Sequence, residues 1–259
     1  MTQTKIDYSY IADFLIAHKS QVNFDYKPFQ LALENDYHTF VEFLSKGDKD
    51  VNNYIMSFAA KNGHLGVVQF LIEKGVNFMA KDNNALRVAA EDGNLGVIQF
   101  LVEKGANFMA KDNYALRVAS ANGHLGVVQF LIEKGANNDF AIQDAARNGH
   151  LEVVQFLIEK GADCTANNNS AIHWAAEFGH LEIVKLLIKH GADYKANDNL
   201  ALQWAIACGH LEIIKFLLEK GADCNADNIW ALKWAVNNGH LKAAKILLDR
   251  WENNNILVN

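Results

Sequence analysis

Six histidines recur in one setting: His64, His124, His150, His180, His210 and His240 each follow a glycine and precede a leucine. Imidazoles at such intervals could form a ladder of metal sites. Zinc, however, needs its ligands about 2.0–2.1 Å away, and these rings stand a whole repeat apart. The simpler reading is a turn residue that hydrogen-bonds the backbone at a helix start. Trp174, Trp204 and Trp234 recur every 30 residues. They could form a ridge on which bases or sugars stack, but regularity across units is what stacking of the units themselves demands, so they are expected in the core. Cys164 and Cys224 occupy equivalent positions two repeats apart. With helices packing at roughly 8–10 Å, they stand about 20 Å apart, beyond the ~7 Å reach of a disulfide. Ser/His/Asp and Cys/His sets exist, but a nucleophile and its base must share a hydrogen bond, and here every polar cluster repeats as part of a structural unit. There is no Gly-rich phosphate loop and no HExxH. The expectation is a non-enzyme with no catalytic residue, no cofactor, no metal and no small-molecule substrate.

The elements that would position any such residue follow from composition and period. Half of the 259 residues are apolar and 21% are charged, as in a folded chain. The net charge is −6, with no dense Lys/Arg run. Nucleic acid and anionic membrane are therefore disfavoured as partners. No segment reaches the ~20 apolar residues of a membrane span. The first residues carry acids within a short apolar stretch and lack the marks of a signal peptide. Three cysteines, Cys164, Cys208 and Cys224, are an odd and sparse set. They point to a reducing, intracellular compartment, cytoplasmic or nuclear.

Glycines followed by His-Leu or Asn-Leu fall at Gly63, Gly93, Gly123, Gly149, Gly179, Gly209 and Gly239, at intervals of 30, 30, 26, 30, 30 and 30. After each glycine comes a stretch such as His124 to Gly135. Leu125, Val128, Leu131 and Ile132 there keep helical spacing, Val127 and Phe130 widen the face, and Gly135 is placed to cap it. Before the glycine comes a shorter helix, with small residues (Ala119, Ser120) where a neighbour must approach closely. The unit is helix, tight turn, helix, loop.

This unit resembles the ankyrin repeat, whose motif ends Gly-Ala-Asp and restarts Thr-Pro-Leu-His-x-Ala-Ala-x-x-Gly-His. Gly161-Ala162-Asp163, Gly191-Ala192-Asp193 and Gly221-Ala222-Asp223 match the first part, and Ala171 to His180 matches most of the second. The resemblance covers roughly residues 25 to 250. It implies an all-α solenoid of about eight helix-turn-helix units. The family period is about 33 residues. The missing residues lie between Gly-Ala-Asp and the next helix, which implies shortened β-fingers. Asp112-Asn113, Asn168-Asn169 and Asp198-Asn199 are expected to cap the first helices in place of the absent threonine. The Asn-rich, 30-residue form is similar to the ankyrin proteins of giant amoeba-infecting DNA viruses. Expected boundaries are a capping helix in 1–24, a solenoid over 25–251 with a degenerate first unit at 25–53, and a tail at 252–259. Pro28, the only proline, stands at a first helical turn, where it is tolerated.

The resemblance implies a scaffold that binds another protein, as a monomer, through a concave face made of finger tips and the exposed sides of the first helices. The matching finger positions are Met79, Lys81, Met109, Lys111, Tyr114, Lys195 and Trp230. The helix positions are Glu91, Asp92, Arg147, Glu177 and Phe178. Met79 and Met109 stand where other units have Thr165, Lys195 or Asn225, and Phe178 where others have Asn122, Asn148 or Asn238. These apolar residues are either interface anchors or side chains folded down onto a shortened finger. The biological reading is a viral effector that engages a host protein. Alternatives are a substrate-recruiting subunit of a ubiquitin-ligase complex and a structural virion component.

Overall fold

The glycine period becomes a series of helical hairpins. The computed structural model describes residues 49–137, 140–223 and 229–256. The expected N-terminal capping helix and most of the degenerate first unit lie outside these. The described residues form fourteen helices and no strand. They are α1 (Lys49–Lys61), α2 (Leu65–Glu73), α3 (Ala80–Glu91), α4 (Leu95–Glu103), α5 (Ala110–Ala121), α6 (Leu125–Glu133), α7 (Ala141–Arg147), α8 (Leu151–Glu159), α9 (Ala166–Glu177), α10 (Leu181–Lys189), α11 (Ala196–Ala207), α12 (Leu211–Glu219), α13 (Ile229–Asn237) and α14 (Leu241–Ile256). Odd-numbered helices are the first of each hairpin and even-numbered the second. α1 begins at Lys49, inside the span 25–53 expected of the degenerate first unit, and α14 continues past Trp251 into the expected tail. The helices divide into two compact units. One holds α1, α2, α3 through Ala89, and α4. The other holds Ala90–Gly93 and α5 to α14.

Within the second unit the core is built from a fixed set of positions. The second helices bury Val153, Val154 and Leu157 in α8, and Ile183, Val184 and Leu187 in α10. The first helices bury Ala171, Ile172, Ala175 and Ala176 in α9. Each Val, Leu or Ile so placed contributes about 1.5–3 kcal/mol. Ala119 and Ser120 are both 0% exposed, as expected of small residues where helices approach closely. Gly135 (φ +93) ends α6 in the left-handed region. Its N–H donates to the Ile132 carbonyl and that of Ala136 to the Leu131 carbonyl, the paired bonds of a glycine C-cap.

The expected shortened finger takes an unanticipated form. Asp163 Oδ1 accepts the N–H and the hydroxyl of Thr165 at 2.8 and 2.7 Å, which holds its carboxyl below the usual range. Asp193 and Asn77 close the same turn on the N–H of Lys195 and Met79. Three consecutive left-handed residues follow: Lys111-Asp112-Asn113, Asn167-Asn168-Asn169 and Asn197-Asp198-Asn199, all with φ between 52 and 62°. A left-handed residue with a side chain costs roughly 1–2 kcal/mol, least for Asn and Asp. That is why these segments are rich in both.

The asparagines were expected to cap their own helices and do not. Instead Asn169 Oδ1 accepts the Asp193 N–H at 2.8 Å, Asn199 Oδ1 that of Asp223 at 3.2 Å, and Asn113 Oδ1 that of Asn137 at 3.3 Å. Each turn is thereby pinned to the next repeat. In the repeat of 26 residues the first helix is α7, of 7 residues, and residues 138 and 139 just before it lie outside the described residues. The four-residue deletion leaves the buried Ala141, Ile142, Ala145 and Ala146 of that helix in place.

Candidate partner-binding surface

The first helices carry the groups that are neither core nor staple. Four of the turn histidines are staples. Nε2 of His124, His150, His180 and His210 lies 2.8, 2.8, 3.0 and 2.7 Å from the carbonyl oxygens of Glu91, Ala121, Arg147 and Glu177. Each bond therefore joins a repeat to the one before, not a ring to its own turn. Asn94 does the same with Nδ2 toward Ala60 and Lys61. Among the described residues no group of three His, Cys, Asp or Glu could hold a metal. Burial pushes the thiols of Cys164 and Cys208 above their ordinary range, the opposite of an activated nucleophile. Cys224 lies outside the described residues.

The tryptophans overturn the expectation of a core position. Trp174 and Trp204 are half-buried, and Trp234 is 57% exposed. They stand one residue before the buried Ala175, Ala205 and Ala235, on the flank of the first helices. Trp174 meets Phe178 at 6.2 Å between ring centres. Trp204 meets Trp230 edge-on at 5.1 Å, and Trp230 Nε1 donates to Gln203 Oε1. The Arg147 guanidinium lies 4.6 Å from the Trp174 ring and 5.3 Å from Phe178. Burial raises the Glu177 carboxyl, and Arg147 offsets this in part. Arg117 sits 5.5 Å from the Phe140 ring and is paired with Asp144 at 2.8 Å.

The residues singled out from sequence thus fall into three sets. Arg147, Glu177 and Phe178 come together around Trp174, which sequence reasoning had assigned to the core. Glu91 and Asp92 are exposed at the end of α3, and the Glu91 carbonyl is taken by His124. Met79 and Met109 are each 47% exposed, so neither is folded fully down onto the turn. Lys111 stands in the left-handed turn. Lys195 lies with its ammonium 5.8 Å from the Tyr194 ring. Tyr114 and Trp230 are half-buried within α5 and α13 rather than at turn tips. The Lys81 side chain lies outside the described residues. Phe140, 42% exposed, was missed. Its neighbour Asp139 and the shortened repeat hid that it starts a first helix.

A family model for ankyrin repeats matches residues 29–112, 56–144, 111–168, 142–228 and 197–258. The chain belongs to the ankyrin-repeat family. No curated protein matches it. Ankyrin repeats are protein-interaction modules, and the ankyrin hairpins here expose on their first helices the aromatic and arginine side chains in which protein interfaces are rich. Among the described residues no helix is long and apolar enough to cross a membrane.

Proposed function

We propose that this ankyrin protein is a non-catalytic scaffold that binds another protein through its first helices and the adjoining turns. The observation that carries this reading is the cluster of the exposed Arg147 and Phe178 about the half-buried Trp174. Phe178 is 44% exposed at a position where Asn122, Asn148 and Asn238 serve equally well in other repeats. Stacking therefore does not require the aromatic ring. Met79 and Met109 extend the reading to the turns, where flexible thioethers adapt to varied contours. Lys111, Lys195, Glu91, Asp92 and Glu177 would form the polar surround. The 30-residue period and the Asn-rich turns support a viral effector acting inside a host cell on a host protein.

The test is Met79→Asn with Met109→Asn, and separately Phe178→Asn, with thermal stability and partner capture measured together. The variants are expected to keep the wild-type melting temperature to within a few degrees and to lose the captured protein. A drop in stability with unchanged binding per folded molecule would remove these residues from the interface.

A further inference from the structure

Among the described residues the second unit carries two arginine–aromatic stacks, and they differ in one respect. Arg117, over Phe140, donates from Nε to Asp144 Oδ2 at 2.8 Å. Its charge is met within the fold. Arg147 lies over Trp174 and Phe178 and makes no ion pair with any described carboxylate. Arg147 acts on the Glu177 carboxyl but does not hold it low: burial wins over the arginine. Stacking on two rings restricts the guanidinium at no cost to its donors, which lie in its plane. A fork so placed loses little freedom on meeting a carboxylate.

We propose that Arg147, braced by Trp174 and Phe178, is the seat for an aspartate or glutamate side chain of the partner, with an apolar neighbour of that residue covering Phe178. This rests on the protein-binding reading above and adds the chemistry of what is bound. One ring-braced guanidinium on a chain of net charge −6 suits one carboxylate. It does not suit a polyanion, which needs a basic field. The apolar contact supplies burial, and the carboxylate supplies register and choice of partner.

The experiment selects a library of random short peptides against the full chain and measures the enriched peptides on variants. Peptides with Asp or Glu beside an aromatic or aliphatic residue are expected. Their binding should weaken about tenfold or more in Arg147→Ala, as for the loss of a charged hydrogen bond. Arg147→Lys should also weaken it, because lysine keeps the charge and loses the fork. Glu→Gln in the peptide should do the same. Unchanged melting of Arg147→Lys shows that the fold is intact. Peptides that slow hydrogen exchange in the first helices but bind Arg147→Ala as well as wild type would overturn this proposal alone. Peptides that protect only the second helices, or a library that yields none, would overturn it together with the protein-binding reading. Arg147-dependent binding of a short oligothymidine, with no peptide competing, would overturn it in favour of nucleic acid.

Discussion

His210 Nε2 lies 2.7 Å from the Glu177 carbonyl oxygen, a bond between a side chain of one repeat and the backbone of the repeat before it. The ring reaches that oxygen by passing over Gly179, where a Cβ would stand 2.7 Å from it and the backbone is left-handed, φ +82. Turn glycine and turn histidine are thus one device. His210→Ala is expected to cost about 1–2 kcal/mol in chemical denaturation, and His210→Asn less, since Asn94 bridges its repeats in the same way. Gly179→Ala should cost more than His210→Ala, because it strains the turn and displaces the ring. The double variant should lose less than the sum. Simple additivity would show that the two residues act apart.

The turn asparagines give a second expectation. Asn169 combines a left-handed backbone, φ +62, with the bond to the Asp193 N–H, and it is buried. Asn169→Ala should lose both, roughly 2 kcal/mol. Asn169→Gly should lose the bond and keep the conformation, and so fall between alanine and wild type in urea melts. Glycine behaving like alanine would mean that the conformational cost is negligible here.

The period, the hairpin and the core of this fold are legible in the sequence because Gly, Leu and Ala at fixed spacing admit one packing. Gly135 and Ala119 could be placed from their types alone. The left-handed turns were not legible. Asn and Asp favour helix caps and left-handed backbone alike, and only coordinates distinguish Asn169 as a cap from Asn169 as a pin on the next repeat. The tryptophans were misplaced because Trp174 lies one residue from the buried Ala175, and regular spacing is the same for a core stripe and for the flank beside it. Of the candidate surface, Arg147, Glu177 and Phe178 were found by matching the contact positions of the family motif, and Phe178 also by its departure from the repeat. Phe140 was concealed by the deletion.

Local stability should differ along the chain. α2, α4 and α6 carry Gly66, Gly96 and Gly126 in their first turn, where α8, α10 and α12 carry Glu152, Glu182 and Glu212. A helical glycine costs about 0.5–1 kcal/mol, and a glutamate there is favoured by the helix dipole. The pairs Lys185–Glu182 and Lys215–Glu212, at 2.7 and 2.9 Å, are exposed and add little. Hydrogen exchange is expected to be faster in 65–104 than in 181–220, and equal or slower exchange there would count against this difference.

Stability should also fall on mild acidification. Burial holds the His173 imidazole below its usual range, with the Asp193 carboxylate opposing in part. The unfolded ring titrates near about 6.5. Below that pH the unfolded chain takes up a proton that the folded chain does not, so the stability held above it is lost as the pH falls toward the folded value. Glu177, raised by burial, acts in the opposite sense over a more acid range. Denaturation midpoints at pH 7 and pH 5 should therefore differ in the wild type and differ less in His173→Gln, a residue already present at this position as Gln143 and Gln203. An equal slope in the variant would remove His173 as the cause.

The central claim is that the first-helix face is where a protein partner sits. A photo-crosslinking amino acid placed at Phe178, with a second chain carrying it at the exposed Gln155 on α8 as control, tests this directly by mass spectrometry of the crosslinked products in cells. The account predicts one dominant protein joined at 178 and absent at 155. Products that are the same from both positions, or that form only from 155, would contradict it.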